Sequence, residues 1–154
     1  MKKIRFHTFS LFFVALFTYF CMMCSLASAS PNMVYVGNNP TMKDIRCNLE
    51  TIEIVDPERS LVSIELVGVL NDETAKRYVK QMGLKKKPFA TVNTMVIDFN
   101  NLTFTYSLLM VVDKGFNILY AYEPGLGGGW ENIGKSGFVY NTSCKVFDVI
   151  NRKN

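Results

Sequence analysis

The chain predicts an α+β fold: an antiparallel sheet of about five to six strands, with a mid-chain helix and a C-terminal helix packed on it. Three observations carry that expectation. Apolar and polar residues alternate with period two over most of the stretch from Met33 to Glu123, the spacing of half-buried strands. Asn71 to Gly83 breaks that rhythm with apolar residues at helical spacing, and Asn141 to Ile150 breaks it again at the end of the chain.

Ahead of the first strand, "MKKIRFH" is a short basic start, "FSLFFVALFTYFCMMCSLA" is a continuous apolar run, and "ASA" supplies small residues for a signal peptidase. Residues 1–29 read as a signal peptide cleaved after Ala29, leaving a single exported α+β domain over 30–154. The apolar run approaches the roughly 20 residues that span a bilayer, so an uncleaved N-terminal anchor is the alternative. Neither Cys21 nor Cys24 follows the small residues a lipidation site needs. The expected location is periplasmic, secreted or at the cell surface, with membrane contact only through this segment if it is retained.

The elements follow in order. "MVYVG" (Met33 to Gly37) reads as a first strand; "LETIEIV" (Leu49 to Val55) and "SLVSIELVGVL" (Ser60 to Leu70) read as a hairpin closed by "DPER". Next, "NDETAKRYVKQMG" places Ala75, Tyr78, Val79 and Met82 at i, i+3, i+4 and i+7, behind a polar start at Asn71 and ahead of Gly83, the signature of an amphipathic helix. Three antiparallel strands come next: "FATVNTMVIDF" to Phe99, "LTFTYSLLMVV" to Val112 and "NILYAYE" to Glu123, with turns at "NN" and "DKGF". Thr103, Thr105 and Ser107 alternate with Phe104, Tyr106 and Leu108, giving the middle strand one polar and one apolar face. "NTSCKVFDVI" reads as a terminal helix capped near Asn141 and packing through Val146, Phe147 and Ile150. The order is β-β-β-α-β-β-β-α.

Composition narrows the chemistry. The formal charge of +4 comes mostly from the first segment: without Lys2, Lys3 and Arg5, 14 basic residues face 13 acidic ones. His7, the one histidine of the chain, lies in the same segment, so the exported part has no histidine general base, no Ser-His-Asp or Cys-His arrangement and no histidine metal ligand. Neither a metal nor a cofactor is expected, and no nucleic acid. Cys21 and Cys24 leave with the signal, so Cys47 and Cys144 can form a single intramolecular disulfide in an oxidising compartment. Such a bridge closes a loop of about 100 residues and is worth up to about 4.7 kcal/mol in the chain-entropy account. Two free buried thiols, or a metal pair, are the alternatives.

"GWENIGKS" (Gly129 to Ser136) matches the phosphate-loop pattern G-x-x-x-x-G-K-[ST]. Its context does not. A phosphate loop joins a buried parallel strand to a long helix, whereas here "PGLGG" precedes the match and only 18 residues follow it. No nucleotide is expected; the stretch reads instead as a glycine loop anchored by the ring of Trp130. Lys85, Lys86 and Lys87, with Lys76, Arg77 and Lys80 on the preceding helix, make the concentrated basic patch that could meet a polyanionic envelope polymer or partner; the plain alternative is a solvated helix face. Tyr120 and Tyr122 share one face of a strand and could stack on a sugar or peptide, though alternating aromatics in a meander are usually core. Asp98 with Asp113, or Glu53 with Glu65, are the acids a carboxylate hydrolase would need, yet each ends or decorates a strand near a turn. Asn101 and Asn141 match the glycosylation pattern.

The "YVG" strand, the meander with "VIDFNN" and "VVDKGFNILYAY", the W-x-x-I pair Trp130 and Ile133, Ser136, and a closing helix containing Cys144 together resemble the surface-adhesin protein E family of small exported bacterial domains. The resemblance runs from Val34 to Ile150 and is best between Ile97 and Cys144. It implies an antiparallel sheet with a C-terminal helix fastened across one side, no catalytic machinery, and in the best-known members attachment to host matrix proteins. Only the scaffold positions Trp130, Ile133, Ser136 and Cys144 carry over. Phe99 and Asn100 stand where relatives often have a cysteine, so a helix-to-sheet bridge would have to use Cys47. The functional expectation is a non-enzymatic exported binding or adhesion module; a soluble envelope module with a structural or small-ligand role is the alternative.

Overall fold

A computed structural model describes residues 32–153; the predicted signal segment, with His7, Cys21 and Cys24, lies outside the described residues. The elements are β1 (Met33–Gly37), β2 (Met42–Asp56), β3 (Leu61–Leu70), α1 (Asp72–Met82), β4 (Ala90–Asp98), β5 (Thr103–Val112), β6 (Ile118–Tyr122), a 3-10 turn (Gly125–Gly127), β7 (Glu131–Asn132) and α2 (Phe138–Lys153). The α+β class and the antiparallel sheet stand as expected, with seven strands instead of five or six. The extra one is β7, whose two residues are too few to show any periodicity in sequence.

The sheet order is β1-β2-β3-β4-β5-β6, every neighbour antiparallel, with β7 pairing β5 beside β6. β6 and β7 therefore form one interrupted edge. β6 covers Leu109 to Val112 of β5, β7 covers Thr103 and Phe104, and the glycine loop between them stays in contact with β5. The Thr105 hydroxyl donates to the Gly129 carbonyl at 3.1 Å and ties the loop's far end down. β4 is central and buried on both faces, and consecutive Met95, Val96 and Ile97 fill both of them.

β2 begins seven residues earlier than its sequence signal. Asp44, Arg46 and Asn48 put polar groups on one face of that early half while Ile45 and Cys47 enter the core from the other. A bulge between Asn48 and Glu53 then shifts the register, and the Thr51 hydroxyl closes it, accepting the Glu65 N–H at 3.0 Å and donating to the Asn48 carbonyl at 2.8 Å. The Asp56 carboxylate shapes the tip, accepting from the N–H groups of Glu58 and Arg59.

One face of the sheet carries the main hydrophobic cluster. Val36, Ile45, Cys47, Ile64, Leu66 and Met95 meet there, with Val146 of α2 pressed onto them. Each such side chain contributes about 1.5 to 3 kcal/mol on burial. α2 crosses this face over β1 and β2. It starts at Phe138, three residues before the expected cap at Asn141, because Gly137 adopts φ 91° and turns the chain into the helix. Asn141 sits one turn in. A register shift in β1 between Tyr35 and Gly37 accompanies its real role, in which the side-chain amide donates to the Val36 carbonyl at 2.7 Å. Gly37, at φ 148°, lets the helix start approach closely; a Cβ there would stand 3.2 Å from that of Phe138.

The predicted Cys47–Cys144 disulfide is absent. Both thiols are free, Cys47 buried in the core cluster and Cys144 exposed on α2. The helix phase is the reason. Thr142, Ser143 and Val146 face the sheet, and at about 100° per residue Cys144 lies on the opposite side of the helix from them. Burial pushes the Cys47 thiol up to about 11, against the opposing pull of its backbone hydrogen bond and of Lys145, so it is inert at neutral pH.

Candidate functional site

Antiparallel connectivity gathers distant basic residues at one end of the sheet. Leu70 pairs with Met42, and Ala90 with both Val69 and Val112, so the start of β2, the α1 crossover and the β5–β6 turn share that end. Lys43, Lys87 and Lys114 line a cleft of about 330 Å³ there, together with Asp72, over an apolar floor that includes Leu70 and Phe89. Of the predicted basic surface, Lys76, Arg77, Lys80, Lys85, Lys86 and Lys87 are all exposed. Lys43 and Lys114 were missed, because each is an isolated lysine in sequence and joins the group only through the strand pairing.

Two carboxylates hold this surface in place. Lys87 Nζ lies 2.7 Å from Asp72 Oδ1, and Lys86 Nζ lies 3.5 Å from Asp113 Oδ2. The Lys87 hydrogen bond and charge hold the Asp72 carboxyl below its ordinary range, aided by Lys43 and Lys76. Asp113 is a turn residue. Its Oδ1 accepts the N–H groups of Asn117 and Gly115, both at 2.9 Å, and these bonds, the Asn117 side chain and Lys86 outweigh burial to lower its pKa. Lys43 and Lys114 make no ion pair among the described residues, so the cleft keeps lysines in excess of its one carboxylate, Asp72.

A second, larger cleft of about 840 Å³ opens on the helix-bearing face. Phe104 and Tyr106 of β5 line it from the sheet, edge to face at 5.7 Å between ring centroids; Asn38, Glu131, Asn132 and Ser136 are among the rim residues. Burial and the nearby Glu131 carboxylate push the Tyr106 hydroxyl up to about 12, so it stays a neutral donor. The β1–β2 turn beside it is rigid: Asn39 Oδ1 accepts from the Thr41 N–H, the Thr41 hydroxyl and the Met42 N–H.

Of the scaffold positions, Ser136 lines this cleft, and Trp130 and Ile133 lie on the segment that leads to it. Ile133 is half-buried against the core, and its N–H donates to the Leu102 carbonyl at 2.9 Å. Trp130 is half-buried at the end of the glycine loop, while Ser136 is exposed on the rim. The phosphate-loop match thus runs through β7, which is antiparallel to β5, and on through Gly137 into α2. A helix follows more directly than the sequence suggested, but the parallel strand that defines a phosphate loop has no counterpart.

The acids do not assemble into a catalytic pair. Asp98 ends β4 opposite Thr103, whereas Asp113 follows Val112, which pairs with Ala90, so the two lie at opposite ends of the sheet, about 26 Å apart at the rise of a strand. Asp98 is itself a turn residue. Burial acts to raise its pKa, but bonds from the Asn101 side chain and from the N–H groups of Asn101 and Asn100 win and lower it. Glu53 is exposed opposite Ser63, Glu65 faces Asn48, and burial is what raises the Glu65 carboxyl.

Tyr120 and Tyr122 are exposed by 38% and 56%, not core. They sit on an edge strand, where one flank has no neighbour to cover them. Both sequon amides are engaged internally, Asn101 with Asp98 and Asn141 with Val36. Among the described residues there is no group of three or more His, Cys, Asp or Glu placed to hold a metal ion, and no helix is long and apolar enough to cross a membrane.

No protein-family model matches the chain, and no curated protein matches it.

Proposed function

We propose that the protein is a non-enzymatic exported binding or adhesion module, and that it meets a polyanionic envelope or surface polymer through the basic end of its sheet. The convergence of Lys43, Lys87 and Lys114 on one cleft, from three separate segments, carries this reading. A solvated helix face would need lysines on α1 alone. Here the strand pairing adds two more from elsewhere, and clustered charge of one sign raises the local concentration of an opposite polymer. The signal-like first segment and the resemblance to small exported adhesin domains support the same reading.

The test has two parts. Intact native cells are labelled with a membrane-impermeant amine reagent, and Lys85 to Lys87 are read by mass spectrometry against a cytoplasmic control. Labelling of these lysines with a silent control is the expected outcome; a chain that labels no better than the control overturns surface display. In parallel, the Lys43→Glu/Lys114→Glu variant is compared with the parent for retention on an immobilised polyphosphate. Retention should fall at least tenfold and the parent should elute as salt shortens the Debye length; equal retention overturns the assignment of this end.

A further inference from the structure

The helix-bearing face carries a second cleft, whose lining differs in chemistry from that of the basic end. Three observations bear on it. The cleft of about 840 Å³ presents the Phe104 and Tyr106 rings beneath a rim of amide and hydroxyl side chains. Among the described residues lining it, Glu131 is the one charged side chain, which disfavours an anion and leaves a neutral or weakly basic ligand.

Tyr120 and Tyr122 complete the arrangement. They pair with Val111 and Leu109, which in turn pair with Thr91 and Asn93; these alternate with Met95, which lies opposite Tyr106, so both exposed rings stand on the sheet face of Tyr106. Alternate residues of one strand lie about 7 Å apart, and Tyr122 stands about 10 Å along the sheet from Tyr106. The result is a set of aromatic rings on one sheet face, beside a rim of uncharged donors and acceptors.

We propose that this face binds a neutral oligosaccharide, the rings stacking on the C–H faces of its sugars while Tyr106 and Asn132 exchange hydrogen bonds with its hydroxyl groups. Aromatic side chains bind an apolar surface and offer a polar tip at low entropic cost, and a concave site with a few convergent polar groups is the form such ligands use. A peptide strand is the competing occupant. It would pair with the free backbone edge of β6, Ile118–Tyr122, and such binding would survive replacement of the tyrosine rings.

The test uses the purified protein as its own cells produce it, titrated with maltohexaose, which offers hydroxyl groups, and chitohexaose, which adds acetamides, while amide shifts are followed by NMR. Saturable shifts are expected at Tyr106, Tyr120, Tyr122 and Asn132 with at least one of the two sugars. Tyr122→Ala and Tyr120→Ala, both at exposed positions, should weaken binding at least tenfold with unchanged melting, and Tyr106→Phe about threefold. Lys43→Ala/Lys114→Ala should leave it unchanged. Flat titrations with both sugars overturn the proposal, as does binding that survives the tyrosine substitutions or depends on the two lysines.

Discussion

The two helices are built on opposite principles. α1 shows every local signal a helix can carry: Asn71 caps it through Oδ1 to the Thr74 N–H, Asp72 and Glu73 fill the first turn, Lys80 the last, and Gly83 ends it at φ 63°. Yet it buries only Thr74 and Ala75. α2 has no acidic residue in its first turn, and Thr142 and Ser143 donate back to the carbonyls of Phe138 and Val139, but it presses Val146, Thr142 and Ser143 fully into the sheet. Eleven residues are marginal for a helix in isolation, so α1 also leans on its tether, the Asn71 amide bonded to the Pro40 carbonyl. The difference teaches that local chemistry specifies α1 and burial specifies α2.

The sharpest way to break the comparison is Val146→Asp. A charge at a fully buried position without a partner should cost about 4 kcal/mol, enough to unfold a domain of ordinary stability in a denaturant melt. Phe147→Asp, one residue away and 54% exposed, is the contrast and should cost about 1 kcal/mol through its lost contact with Phe99. Equal costs would mean that α2 is not held through the face assigned to it.

Removing the cap tests the other helix. Asn71→Ala should lose about 1 kcal/mol, read as a lower melting temperature and faster amide exchange confined to α1. Exchange that accelerates equally in α2 would show the two helices to be one cooperative unit.

Acid separates them more gently. The folded pKa of Asp72 is depressed by Lys87, so its contribution is present above the unfolded value of about 3.9 and is lost as pH falls through the folded value. Amide exchange at the start of α1 should therefore rise below about pH 4, while the start of α2, without a first-turn acid, should not respond. Because the ion pair is exposed, added salt should weaken the effect at α1.

The smallest effect on stability is expected at the thiols. Cys144 should react with a maleimide in the native protein with a change within about 0.5 kcal/mol, and Cys47 only after unfolding. A native protein in which neither thiol reacts would restore the disulfide.

Legibility follows the same division. The meander β4 to β6 and helix α1 were readable because Thr103 to Leu108 alternate and Ala75 to Met82 repeat at helical spacing, signals that act within a few residues. β7 and the early start of α2 were not, since one depends on an edge left open by β5 and the other on the φ 91° turn at Gly137. The basic patch was half readable. Lys76 to Lys87 cluster in sequence, whereas Lys43 and Lys114 arrive through register.

By itself the sequence determined the α+β class, the six longer strands and their order, the capped helix, and the lack of histidine chemistry beyond residue 29, because each rests on residue type or short-range periodicity. Tertiary structure decided which thiol is buried, which acids never meet, and which side chains share a cleft. Those depend on helix phase and strand register, where a shift of one residue carries a side chain to the opposite face.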